Sequence, residues 1–196
     1  MALIDDVITY LEMRERPHFG ELAAPRIAAP LRKLALMRAE NCTVSFYRYL
    51  YETVGTPWLW YQRRLLDDAA LAAQISKPTT EIFVLYAGGL PAGYFELDAA
   101  APQETELCYF GLIPEFIGRG LGSFLLRAAI DRAWSRPIRR FWVHTRSFDH
   151  PKALGHYQRA GFVVYARQQL RFEDPRTQGI LPRTLKHPLL PPLDEA

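Results

Sequence analysis

The run Phe110-Gly111-Leu112-Ile113-Pro114-Glu115-Phe116-Ile117-Gly118-Arg119-Gly120-Leu121-Gly122 constrains this chain more than any other segment. A strand-like stretch is stopped by Pro114, three glycines follow two apart, and an apolar helical pattern begins at once. Such a corner aims unpaired backbone N–H groups from the positive end of a helix dipole. Without side chains at Gly118, Gly120 and Gly122, an anion can come close to that backbone. A diphosphate is the natural guest. The bland alternative is a set of packing glycines at a strand–helix corner. No Gly-Lys-Ser/Thr follows, so this is not the phosphate loop of nucleoside triphosphatases. Nor does the spacing match the dinucleotide pattern Gly-x-Gly-x-x-Gly.

The remaining constraints are broader. A chain of 196 residues is long enough for one well-buried domain. Hydrophobic content of 49% with 23% charged residues is that of an ordinary globular protein. No run approaches the roughly 18 apolar residues of a membrane span, so no membrane partner is expected. The opening Met1-Ala2-Leu3-Ile4-Asp5-Asp6 has neither a basic region nor an apolar core, which sets the expectation of a cytoplasmic protein. Cys42 and Cys108 are the only cysteines, which fits a reducing compartment and argues against a disulfide scaffold or a cysteine-ligated metal. With a net charge of +3 and scattered Lys and Arg, nucleic acid is not indicated as a partner, whereas an anionic cofactor suits the bias.

Periodicity predicts strands at Val7–Met13 and Lys33–Arg38, with a Pro/Ala-rich linker between them. It predicts helices from Thr43 towards Gly55 and from Asp67 to Ile75. A hairpin follows, Glu81–Tyr86 and Ala92–Leu97 about Gly88-Gly89. Next come a strand at Glu106–Ile113, a helix at Ser123–Ser135, a strand at Phe141–Thr145, a helix at Pro151–Ala160 and a strand at Phe162–Leu170. The proline-rich remainder from Asp174 is expected to cap or wrap the surface. This order makes a mixed α/β or α+β domain spanning residues 1–196, with an N-terminal extension over 1–30 and a tail over 174–196.

Two motifs together carry a resemblance. The first is Leu112-Ile113-Pro114 followed by Ile117-Gly118-Arg119-Gly120-Leu121-Gly122. The second is His150-Pro151-Lys152-Ala153-Leu154-Gly155-His156-Tyr157-Gln158-Arg159-Ala160-Gly161-Phe162. Over roughly residues 31–172 the chain resembles the GNAT superfamily of N-acetyltransferases. Two residues depart from that family's usual pattern: Ile117 stands in place of Arg or Gln, and His150 in place of Asn. The resemblance implies a GNAT-type fold, a central, mostly antiparallel twisted sheet with splayed central strands flanked by helices. It implies acetyl-CoA as acyl donor, held by Phe110, Leu112, Ile117, Gly118, Arg119, Gly120, Leu121, Gly122, Ser123, His150, Lys152, Ala153 and Tyr157. Arg119 is expected to supply the charge that Ile117 lacks. Many relatives pair, so a homodimer stays open.

The implied reaction moves an acetyl group to a primary amine of a small molecule or protein, by direct attack through a tetrahedral intermediate. The amine must lose a proton, the oxyanion needs a donor, and the thiolate leaves more easily when protonated. By resemblance the N–H of Leu112 is the oxyanion donor, Glu106 the base (with Glu104 in reserve) and Tyr157 the acid. Strict alternation puts Glu106, Cys108, Phe110 and Leu112 on one face of their strand. His144 is a further candidate proton relay, and His156 is expected at the surface. Of the aromatic residues between Phe46 and Tyr61, Tyr47, Tyr51 and Trp58 are the candidate acceptor-pocket residues, the rest being core. Two other readings compete: a non-catalytic acyl-CoA-binding regulator, and a protein that uses the Gly-rich turn for ATP.

Overall fold

Seven strands form one sheet in the computed structural model, which describes residues 2–18 and 33–193. In chain order the elements are β1 (Leu3–Met13), β2 (Leu34–Arg38), α1 (Val44–Gly55), α2 (Asp68–Ile75), β3 (Thr80–Ala87), β4 (Leu90–Asp98), β5 (Glu104–Leu112), α3 (Leu121–Ala133), β6 (Arg140–Arg146), α4 (Ala153–Arg159) and β7 (Val163–Glu173). In space the strands run β2-β3-β4-β5-β6-β1-β7. Every neighbouring pair is antiparallel except β5–β6. The expected mixed α/β architecture with a mostly antiparallel sheet is present.

Local chemistry explains the helices. Thr43 accepts from the Phe46 N–H at 3.3 Å and Asp67 from the Ala70 N–H at 2.7 Å, which caps α1 and α2. Caps of this kind contribute about 1 kcal/mol each. The buried stripe of α1, Tyr47, Leu50, Tyr51 and Val54, packs with Ile82, Val84 and Tyr94 of β3 and β4. Gly111 permits the close approach, since a Cβ there would collide with Val54. On the opposite face α3 buries Leu121, Leu125, Leu126, Ala129, Ile130 and Ala133 against Leu97, Leu107, Phe141 and Val143. The sheet thus has an α1 face and an α3 face.

The strand expected at Val7–Met13 is present and begins earlier, at Leu3. Residues 3–13, placed in an extension by the sequence, form an interior strand wedged between β6 and β7. Thr9, Leu11 and Met13 are buried on the α3 face, whereas Ile4 and Asp6 are buried on the other. The Pro/Ala-rich linker after Met13 lies largely outside the described residues.

The tail packs, as expected, against the surface. Arg176 is buried with Asp174 at 2.6 Å and donates to the carbonyls of Leu185 at 3.1 Å and Pro191 at 2.8 Å. Leu181 joins Ile4, Leu59 and Phe148 in a small apolar cluster that closes one end of the α1 face.

Candidate active site

The parallel pair β5–β6 holds register only from Glu104↔Arg140 to Leu107↔Val143. Beyond that rung the strands part: β5 stays on β4 through Leu112, and β6 stays on β1 through Arg146. The Ile113 N–H bonds to the Ala92 carbonyl at 2.9 Å, on the β4 side. Since successive backbone N–H groups of a strand point to opposite edges, the Leu112 N–H points away from β4, into the gap.

A bulge alters which side chains share a face there. Leu97 pairs with Leu107 but Glu96 pairs with Tyr109, so Cys108 is an extra residue in β5. One inserted residue flips the alternation. Glu106 therefore shares the α1 face with Tyr109, whereas Phe110 and Leu112 lie on the α3 face. This corrects the expected single row of Glu106, Cys108, Phe110 and Leu112. On the α1 face the Glu106 carboxylate sits 3.5 Å from Nδ1 of His144, both partly exposed. Glu104, the reserve carboxylate, is taken up by Arg140 at 3.1 Å.

At the end of the gap the chain turns through Pro114–Phe116 into α3. Gly118 and Gly120 have φ of 82° and 81°, the left-handed region that side chains disfavour. Gly120 is the N-cap of α3, no side chain caps this helix, and a Cβ on Gly118 would meet nothing within 4 Å. Leu121, Gly122 and Ser123 form the first turn, whose backbone N–H groups no side chain caps among the described residues. The space and donors suit anionic oxygens. Ile117 is 37% exposed and contributes no charge, whereas the Arg119 guanidinium stacks on Phe116 at 5.6 Å beside the turn.

The second motif forms α4 and its approach. His150 accepts from the Lys152 N–H through Nδ1 at 3.1 Å, and its carbonyl accepts from the Ala153 N–H at 2.7 Å. The imidazole thus engages the backbone N–H of Lys152, the residue that precedes α4. Lys152 is exposed and Ala153 packs against the core beneath α3. Tyr157 is buried, with its ring centroid 6.0 Å from Phe110 and 5.9 Å from Phe162. Burial, with the Asp149 charge adding to it, pushes its phenol well above the ordinary value. His156, expected at the surface, is instead partly buried and stacked on Phe110 at 6.2 Å. Burial lowers its pKa. Its spacing from Ala153 and Ala160, three before and four after, was the available signal for an inward face.

Two of the three aromatic pocket candidates are core residues. Tyr47 and Tyr51 are 0% and 1% exposed. The Tyr47 hydroxyl donates to Glu96, which also receives Arg63 at 2.7 Å. Their positions at helical spacing mark the packed stripe of α1 rather than a pocket wall. Trp58 is partly exposed, 5.1 Å from the His150 ring. The buried Glu96 and its partner Arg63 were not singled out from sequence, since the two lie 33 residues apart and meet only in the fold. Burial raises the Cys108 thiol and pushes Cys42 up to about 11. Among the described residues no three His, Cys, Asp or Glu side chains stand together as a metal site requires, and no helix is long and apolar enough to cross a membrane.

Comparison with known proteins places this parted sheet and glycine turn in a known family. Residues 43–162 match the acetyltransferase (GNAT) family, and the chain belongs to that family. It is 38% identical over 72 residues to mycothiol acetyltransferase of Acidothermus cellulolyticus; this stretch is 37% of the present chain and 20% of that protein. The chain thus spans about a fifth of the curated relative it matches. Its fold is similar to that of a GCN5-related N-acetyltransferase from Sphaerobacter thermophilus, with a TM-score of 0.56 and 16% identity over 87% of this chain and 52% of that one. It is also similar to a Bacillus subtilis acetyltransferase in complex with CoA, with a TM-score of 0.52 and 21% identity over 68% and 79%.

Proposed function

We propose that the chain is an N-acetyltransferase that passes an acetyl group from acetyl-CoA directly to a primary amine. The observation that carries this reading is the division of groups across the β5–β6 gap. The Glu106–His144 pair stands on the α1 face and Tyr157 on the α3 face, with the Leu112 N–H pointing between them. Base and acid on opposite sides of one opening suit an amine arriving from one face and a thioester from the other.

The residues fit the donor. The left-handed Gly118 and Gly120 and the uncapped start of α3 would receive the diphosphate, with Arg119 alongside. When bound, acetyl-CoA supplies an activated acyl group with a thiolate leaving group. Glu106, assisted by His144, accepts the proton of the incoming amine. The Leu112 N–H holds the developing negative charge at the acyl oxygen. Tyr157, kept fully protonated by burial, is the proton source for sulfur. Neither cysteine is a ready nucleophile at neutral pH, because burial raises both thiols, which favours direct transfer over an acyl-cysteine route.

Calorimetric titration with acetyl-CoA, a competing titration with ATP, and amine-dependent thiol release test the reading. Binding of acetyl-CoA unaffected by ATP, with release that needs an amine, is expected. Binding without release for any amine supports the regulator instead, and ATP displacing acetyl-CoA supports the nucleotide-binding reading.

A further inference from the structure

Beside the gap, the α1 face of β6, β1 and β7 is not covered by α1 or α2 among the described residues. It carries a continuous aromatic row. The Trp142 ring lies 6.4 Å from His144, His144 lies 5.9 Å from Tyr10, and Tyr10 lies 6.0 Å from Tyr165. All four are at least partly exposed, Tyr165 at 45%. The row begins at the candidate base, since Trp142 is the register partner of Glu106.

The charges on this face are almost all spoken for. Arg140 joins Glu12 at 2.7 Å and Glu104 at 3.1 Å and also lies 4.7 Å over the Tyr165 ring. Arg146 pairs with Asp6. Asp98, beside Glu106, accepts the Ala100 N–H at 2.9 Å. Glu106, with only the His144 imidazole against it, is left as the one carboxylate on the face with neither a guanidinium nor a backbone N–H among the described contacts. Among the described residues, an acceptor with its own carboxylate finds no unengaged arginine on this face, and one with several ammonium groups finds a single carboxylate.

We propose that the acceptor is a monoamine with a flat aromatic body, laid on the Trp142–His144–Tyr10–Tyr165 row with its amine at Glu106. This rests on the acetyltransferase reading above. Aromatic rings present area for stacking and attract a cationic amine before it is deprotonated. Flat apolar contact with one charged anchor selects for this class and against polyamines, aminoglycosides and free amino acids.

Thiol release is measured with acetyl-CoA and 2-phenylethylamine, phenylalanine, spermidine or kanamycin. Binding of 2-phenylethylamine in the presence of CoA is measured by calorimetry. A KM for 2-phenylethylamine at least about tenfold below the others is expected, with phenylalanine penalised for its carboxylate. Trp142→Ala and the exposed edge variant Tyr165→Ala should each raise that KM about fivefold to tenfold, with a smaller change in kcat and an unchanged KM for acetyl-CoA. Preference for spermidine, kanamycin or phenylalanine overturns the proposal, as does an unchanged KM in both variants. If no amine is turned over, the acetyltransferase reading fails by itself. The aromatic row is then judged by the calorimetry, where absence of 2-phenylethylamine binding overturns it and binding lost in Tyr165→Ala upholds it.

Discussion

Glu106 Oε1 and His144 Nδ1 lie 3.5 Å apart, one rung from the point where two parallel strands separate. The pair joins β5 to β6 at the throat of the gap, and under the proposed reading a proton taken at Glu106 would have an imidazole beside it. Replacing His144 by Ala is expected to lower kcat about tenfold with the KM for acetyl-CoA unchanged, measured by steady-state thiol release. Loss of acetyl-CoA affinity instead would make His144 part of the donor site.

Tyr157→Phe removes one oxygen and leaves the packing on Phe110 and Phe162 intact. Its kcat is expected to fall by about one to two orders of magnitude, with acetyl-CoA affinity by calorimetry near that of the parent. An unchanged kcat removes the phenol from the reaction.

Gly120→Val places a branched side chain at φ 81° in the N-cap of α3. The left-handed backbone costs a β-branched residue about 1–2 kcal/mol, and the side chain stands where anionic oxygens would approach. A folded variant with a lowered melting temperature and no measurable acetyl-CoA binding is expected. Gly118→Ala carries the same left-handed backbone, φ 82°, with only a methyl group, so a similar loss of stability with acetyl-CoA binding retained there separates strain from blockage. Full affinity in folded Gly120→Val contradicts the cradle.

The buried Glu81 receives Arg132, Arg136 at 2.8 Å and Arg38 at 3.3 Å, tying β3 to α3 and β2. Burial opposes ionisation, but the Arg132 hydrogen bonds and the charges of Arg136, Arg132 and Arg38 hold its carboxyl below the usual value. A carboxyl lowered in the folded state stabilises above its unfolded pKa of about 4.5, and that contribution is lost as pH falls through the folded value. Urea unfolding followed from pH 7 down to pH 3 is expected to show this loss. Glu81→Gln should cost about 3 kcal/mol at pH 7 and flatten part of the acid slope.

The sequence made the order of elements from α1 onward legible, because caps, glycines and a change of period mark their ends. Thr43 and Asp67 cap the helices they were expected to open. The bulge at Cys108 was hidden: nothing in Glu106–Phe110 marks one extra residue, since the register is decided by how Glu96 and Leu97 seat against β5. The place of β1 was hidden for a related reason. A strand's neighbours depend on long-range pairing, here with residues more than a hundred positions away. Tyr47 and Tyr51 read equally well as pocket or core, and only their burial distinguishes the two. The aromatic row is drawn from β1, β6 and β7 and has no local signature at all.

Under the proposed function the amine loses its proton at Glu106 while the donor is held elsewhere. Comparing Glu106→Gln with the parent tests it most directly, by thiol release with an accepted amine and calorimetric titration with acetyl-CoA on the same preparations. A fall in kcat of about a hundredfold or more is expected, with acetyl-CoA affinity unchanged. A Glu106→Gln enzyme as fast as the parent, or one slowed only through lost acetyl-CoA binding, would contradict it.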